Sequence, residues 1–139
     1  MSAAAIHPPS VTAASHRLGA LVQERSTMAQ WWVELAAALD DLSDRMLNES
    51  QAVWHSMRLQ LTDDAPHLSS HLRRIDAEQE SLHGHVRQVR VLAGEAGGDP
   101  DQAMRIRDEV RGLLQRLRRH ERRTTRVLVD AYVVDLGGE

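Results

Sequence analysis

The sequence contains no cysteine. That excludes disulfides, thiolate nucleophiles and every cysteine-based zinc or iron–sulfur arrangement, so any metal must be held by histidine, carboxylate or amide oxygen. Phenylalanine is absent too, and Trp31, Trp32, Trp54 and Tyr132 are the only aromatic residues. The core must then be Leu, Val, Ala, Met and Ile, a composition that suits helices better than a β-branched sheet. There is no lysine: all seventeen basic residues are arginine, against twenty acids, and the net charge of −3 does not suggest a general nucleic-acid binder. The opening MSAAAIHPPSVTAASHRLGA has no basic start and no apolar run of signal-peptide length, and no window approaches the roughly eighteen apolar residues of a membrane span. A soluble cytoplasmic protein with no membrane partner is expected. Paired-carboxylate motifs, phosphate-cradling glycine loops and an activated serine are all missing, so an enzyme is not expected.

Punctuation is sparse. The 139 residues fit one domain, read as a flexible leader over 1–10, a bundle over 11–135 and a short tail over 136–139. Ala65 and Pro66 interrupt the middle, and GEAGGDPD (94–101) is a dense turn in which Asp99 can cap a helix with Pro100 at its first position. Between the breaks, apolar residues recur every three or four positions. One face carries Leu68, Leu72, Ile75, Gln79, Leu82, Val86, Val89 and Ala93. Another carries Ile106, Val110, Leu113, Leu117, His120, Thr124, Val127 or Leu128, and Ala131. In the first half, Val11, His16, Leu18, Leu21, Val22, Arg25 and Met28 form one candidate helix, and Leu35, Leu39, Leu42, Met46, Val53, Met57 and Leu61 a second. A single helix over 10–61 would be roughly 75 Å long, too long for its partners, so a break is expected between Arg25 and Trp32, with Ser26 or Thr27 as cap. An all-α, up-down four-helix bundle is the simplest closure.

Chemistry in such a bundle belongs at polar positions on the apolar faces. His120 and Gln79 are two of these, and His83 lies one turn beyond Gln79. Histidine paired with a carboxylate one turn away could grip a metal, but the residue after His120 on that face is Thr124, a poor ligand for a divalent ion. A core histidine hydrogen-bonded to a neighbour is the simpler reading of His120. His67 and His71, in HLSSH, read as a solvated turn.

The tail HERRTTRVLVDAYVVDLGGE (120–139) resembles the end of hemerythrin-like (HHE cation-binding) domains, particularly a bacterial branch that closes on an aspartate, Ile or Leu, two glycines and an acid, as Asp135 to Glu139 do. APHLSSHLRRIDAEQESL (65–82) resembles the third-helix entry of the same family. The resemblance implies a four-helix bundle that, in the family, holds two bridged irons with histidines from all four helices and a carboxylate one turn after the histidine on the second and fourth.

Carried over residue by residue, His120 stands at the fourth-helix histidine and Thr124 or Thr125 where the carboxylate should be. Gln79 takes the first third-helix position and His83 the second, and His16 is the first-helix ligand. The second-helix pair falls near Met46 or Leu47 and Ser50 or Gln51, where neither part survives. The metal ligands the resemblance leaves are therefore His16, His83 and His120. Without bridging carboxylates, two iron ions in a dry core would cost roughly several kcal/mol per charge. The resemblance thus implies a binding or structural module with a degenerate di-iron site and no cofactor, the alternative being an iron- or zinc-binding protein that senses oxygen, iron or redox state. Should a dinuclear site exist, Glu24, Glu49 and Glu78 are the first carboxylates to test.

The arginines are concentrated. Residues 105–126 hold nine of them against Asp108, Glu109 and Glu121, while DDLSD (40–44) carries the opposite sign. Packing of the last helix beside such an acidic face, within the chain or in a second copy, is the expectation. An acidic protein partner is the alternative, and nucleic acid is not expected because no reading motif accompanies the stripe.

Overall fold

The computed structural model describes residues 9–24, 29–49 and 54–137, with side chains for 11–24, 29–49 and 54–131. Five α-helices account for nearly all of them: α1 (Pro9–Gln23), α2 (Ala29–Glu49), α3 (His55–Asp64), α4 (Ser69–Ala96) and α5 (Ala103–Gly137). Short 3-10 turns at Pro66–Leu68 and Pro100–Gln102 lead into α4 and α5. Among the described residues there is no strand, as the composition implies, and no helix is long and apolar enough to cross a membrane.

The helices pack in a ring: α1 against α2 and α5, and α4 against α2 and α5. Cross-contacts run in opposite senses along neighbouring helices. On α2 and α4, Asp40 meets Arg90 at 2.6 Å while Trp54, beyond the end of α2, meets Asp76 at 2.7 Å. On α4 and α5, Ser81 meets Arg116 and Glu78 meets His120. Adjacent helices are therefore antiparallel.

The α4 and α5 stripes are buried as their spacing requires, with Leu72, Ile75, Val86, Val89, Val110 and Leu113 fully enclosed. Each such side chain contributes about 1.5–3 kcal/mol relative to exposure. The turn between these helices forms as the sequence implies. Gly97 and Gly98 take φ of 59° and 80°, a left-handed conformation glycine adopts at little cost, and the Asp99 carboxylate accepts the Asp101 N–H ahead of Pro100.

Three expected boundaries lie at the edges of the described residues. The second helix, expected to continue through Met57 to Leu61, is described as α2 to Glu49 and as α3 from His55; Ser50, Gln51 and Val53 lie outside the described residues. The Trp54 indole N–H donates to Asp76, whose second oxygen binds Arg58, so α3 and the residue before it are fastened to α4. α1 is described from Pro9, so Pro9 and Ser10, read as leader, are helical. At the other end, α5 continues to Gly137, into what was read as tail. Arg25, Ser26, Thr27 and Met28 fall outside the described residues, within the interval where the first break was expected.

Acidic DDLSD does not lie beside the arginine-rich helix. Its neighbours are α1 and α4, so Asp40 pairs with Arg90 and Asp41 with Arg45 one turn on. The α5 arginines meet α4, the end of α1 and the start of α2 instead: Arg123 pairs with Glu78, Arg116 donates to Ser81, and Arg107 donates to the Glu24 carbonyl while stacking over Trp31 at 4.8 Å.

Candidate functional site

The hydrophobic core comes in two parts. The larger joins α1, α2, α4 and α5 from Ala14 and Met46 to Leu82 and Leu114; the smaller gathers Trp54, Leu68, Leu72, Ile75, Val127 and Ala131. What separates them is a level at which every long helix carries a polar residue. On α4, Gln79 stands between Ile75 and Leu82; on α5, His120 and Thr124 stand between Leu117 and Val127; on α2, Glu49 follows Met46. Polar side chains cannot close this layer as leucines would, and a cavity of about 180 Å³ is left.

His16, His83 and His120, which the sequence singled out together, all line this cavity, with Gln79, Thr124 and Met46 from the same set of positions. Its remaining polar walls are Thr12, Ser15, Glu49, Arg118 and Glu121, and its apolar walls include Trp54, Met57, Leu82, Leu114 and Leu117. His16 and Arg118 are exposed and stand where the cavity meets solvent. Of the three carboxylates named from the sequence, Glu49 lines the cavity. Glu78 stands behind His120, and Glu24 is beside Arg107 and lines no part of it.

His120 is held by a specific bond. Its Nδ1 lies 2.8 Å from Glu78 Oε1, while Arg123 takes Oε2 of the same carboxylate. Burial holds the imidazole below its usual pKa, with the Glu121 charge opposing, so the ring is neutral near pH 7. The contact with Glu78 alone would favour imidazolium. Burial prevails because Arg123 already balances that carboxylate. A neutral ring beside a carboxylate carries its proton on Nδ1, leaving Nε2 as an acceptor. His120 lines the cavity and Glu78 does not.

Glu49 is shifted the other way. Burial, reinforced by the negative charge of Glu121, raises its pKa from 4.5 to about 7. No hydrogen bond or ion pair joins it to a described residue. His83 is lowered by burial and by Arg87.

The residues do not fit a bridged pair of irons. Among the described residues, no three His, Asp or Glu side chains come together closely enough to hold a metal ion. One turn after His120 stands Thr124, whose hydroxyl donates back to the His120 carbonyl at 2.9 Å and is committed to the helix. The other histidines contribute nothing here. His67 and His71 are exposed at the start of α4, and His85 accepts from Arg116 at 2.8 Å on the outer side of α4.

Sequence reasoning missed Glu121 and Arg118 as wall residues, although both flank His120, and it missed Trp54 as the floor. The scarcity of aromatics was the available signal for Trp54. Set against protein-family models, curated proteins and solved structures, the chain has no match. The hemerythrin-like resemblance accordingly rests on residues 65–82 and 120–139.

Proposed function

We propose that the chain is a hemerythrin-like bundle, with α2 and α3 together serving as its second helix, and that it acts as a non-catalytic binding module. The layer that the resemblance assigns to two irons is here a small-ligand cavity. One observation carries this reading: His16, His83 and His120 converge with Glu49 on a half-apolar cavity without being gathered around a common point. A cavity of this size takes a molecule slightly larger than benzene, which occupies an apolar cavity of about 150 Å³. A panel of neutral, cationic and anionic compounds of roughly six to nine non-hydrogen atoms, screened by ligand-observed NMR, is expected to yield binders. Leu117→Phe, which fills the cavity, is expected to lose them while keeping its helicity. A panel without any binder contradicts the proposal.

A second reading is a metal-binding hemerythrin-like protein that senses oxygen, iron or redox state. It is favoured by the bond from His120 to Glu78, since an outer carboxylate of this kind orients metal-bound histidines. Under that reading zinc or a single ferrous ion binds through His16, His83 and His120, and His120→Ala abolishes stoichiometric zinc uptake in calorimetry.

As for partners, Arg118, Arg119, Arg122 and Arg126 form an exposed stripe on α5 with no ion pair among the described residues. The stripe supports self-association, or docking of an acidic protein, through α5.

A further inference from the structure

Resting on the binding-module reading, we infer that the cavity between α1, α2, α4 and α5 selects a small organic monocation: a protonated amine carried on an apolar body of about benzene size. Three features of the walls lead to this ligand class, and each excludes another.

The first is hydrogen-bonding polarity. His120 lines the cavity, and with its Nδ1 occupied by Glu78 it keeps Nε2 as an acceptor with no partner among the described residues. Glu49 presents a carboxyl group that is likewise without a partner among the described residues. His120 and the ionised form of Glu49 both call for a donor, and an ammonium group offers three N–H donors and no acceptor.

The second is charge. Above about pH 7, with Glu49 ionised, the lining carboxylates Glu49 and Glu121 outnumber the one lining arginine, Arg118, by one negative charge. A monocation cancels it, whereas a carboxylate or phosphate would enlarge it. The mutual repulsion that raises Glu49 beside Glu121 is relieved by such a guest. A hydrogen bond between an ammonium and a carboxylate is also among the stronger kinds available.

The third is shape and polarity of the remainder. Trp54, Met46, Met57, Leu82, Leu114 and Leu117 supply a mostly apolar wall beside the two acceptors, and about 180 Å³ admits an aryl or short alkyl body. Trp54 is buried and fixed by its bond to Asp76, so it offers a rigid apolar surface for that body. A hydrated inorganic cation would leave this wall unfilled.

The charged and titratable groups facing Glu49 are His16 from α1, His83 from α4, and Arg118, His120 and Glu121 from α5; α3 contributes none. Cation affinity is therefore expected to rise as Glu49 loses its proton near pH 7, a range in which an alkyl ammonium keeps its own.

The test is calorimetric titration of the full chain with benzylammonium, benzyl alcohol, benzoate and zinc in turn, at about pH 6 and 8. Benzylammonium is expected to bind roughly tenfold or more tightly than benzyl alcohol, and more tightly at the higher pH. Glu49→Gln is expected to remove both the preference and the pH dependence. If that variant does not fold, Glu121→Gln, expected to weaken the cation preference, serves the same purpose. Equal affinity for benzyl alcohol and benzylammonium overturns the cation assignment but leaves the binding module standing. Tighter binding of benzoate overturns it in favour of Arg118. Stoichiometric zinc that displaces benzylammonium overturns it in favour of a metal ligand. Absence of binding by all four probes overturns the binding-module reading as well.

Discussion

Glu49 and His120 face one cavity and titrate in opposite senses. For Glu49, whose pKa is raised by burial and by Glu121, the folded state holds the proton more tightly than the unfolded chain. Its contribution to stability is present below about 4.5 and lost as pH rises through about 7. For His120, His83 and His85, lowered chiefly by burial, the contribution is present above the ordinary 6.5 and lost as pH falls below it. Glu49→Gln should therefore remove the loss on the alkaline side and leave the histidine slope. Urea unfolding is expected to show the variant more stable than the natural chain near pH 8, by on the order of 1 kcal/mol after allowance for solvent screening of a half-exposed group. The two should converge near pH 4.5; parallel curves across the range would contradict the raised pKa. His120→Ala deletes a bond to a carboxylate and leaves Glu78 to Arg123, with an expected cost of about 1–3 kcal/mol in the same measurement. An unchanged midpoint would mean that His120 is not part of the packed layer. His120 was readable in the sequence as a polar residue on an apolar face. Its partner was not, because Glu78 is forty-two residues away and only the antiparallel register of α4 and α5 brings them together.

At the scale of elements, α4 and α5 were legible because their three-four spacing is unbroken and their connecting turn is written in glycine, aspartate and proline. The fastening of α3 to α4 was not. Met46, Val53, Met57 and Leu61 continue a helical phase, and no glycine or proline stands between Glu49 and Trp54. Periodicity reports which face is apolar, and it does not report that a tryptophan has found a carboxylate on another helix. Asp76 is the residue on which that arrangement turns, accepting from Trp54 at 2.7 Å and pairing with Arg58. Asp76→Ala is expected to cost about 1–3 kcal/mol, since it strands a buried indole N–H. Amide hydrogen exchange should accelerate in α3 far more than in α4 or α5. Uniform acceleration across all helices would show instead that α3 and the bundle unfold as one unit.

For the molecule as a whole, the split core and the uneven charge are the two features that matter. The polar layer trades apolar packing for a cavity, and the exposed arginine stripe trades intramolecular pairing for a surface that attracts acids. If α5 mediates self-association, sedimentation velocity should show the larger species receding between roughly 50 and 500 mM salt, as screening of exposed charges requires. A single salt-independent species would remove that role. The proposal that the di-iron layer has become a ligand cavity stands or falls on metal content. Protein purified from iron-supplemented growth is expected to carry far fewer than two metals per chain, because Thr124 and Gln79 are not the carboxylate and histidine that the hemerythrin-like reading would need at those two positions. Elemental analysis that finds two irons per chain, with the optical bands of an oxo-bridged pair, would contradict it.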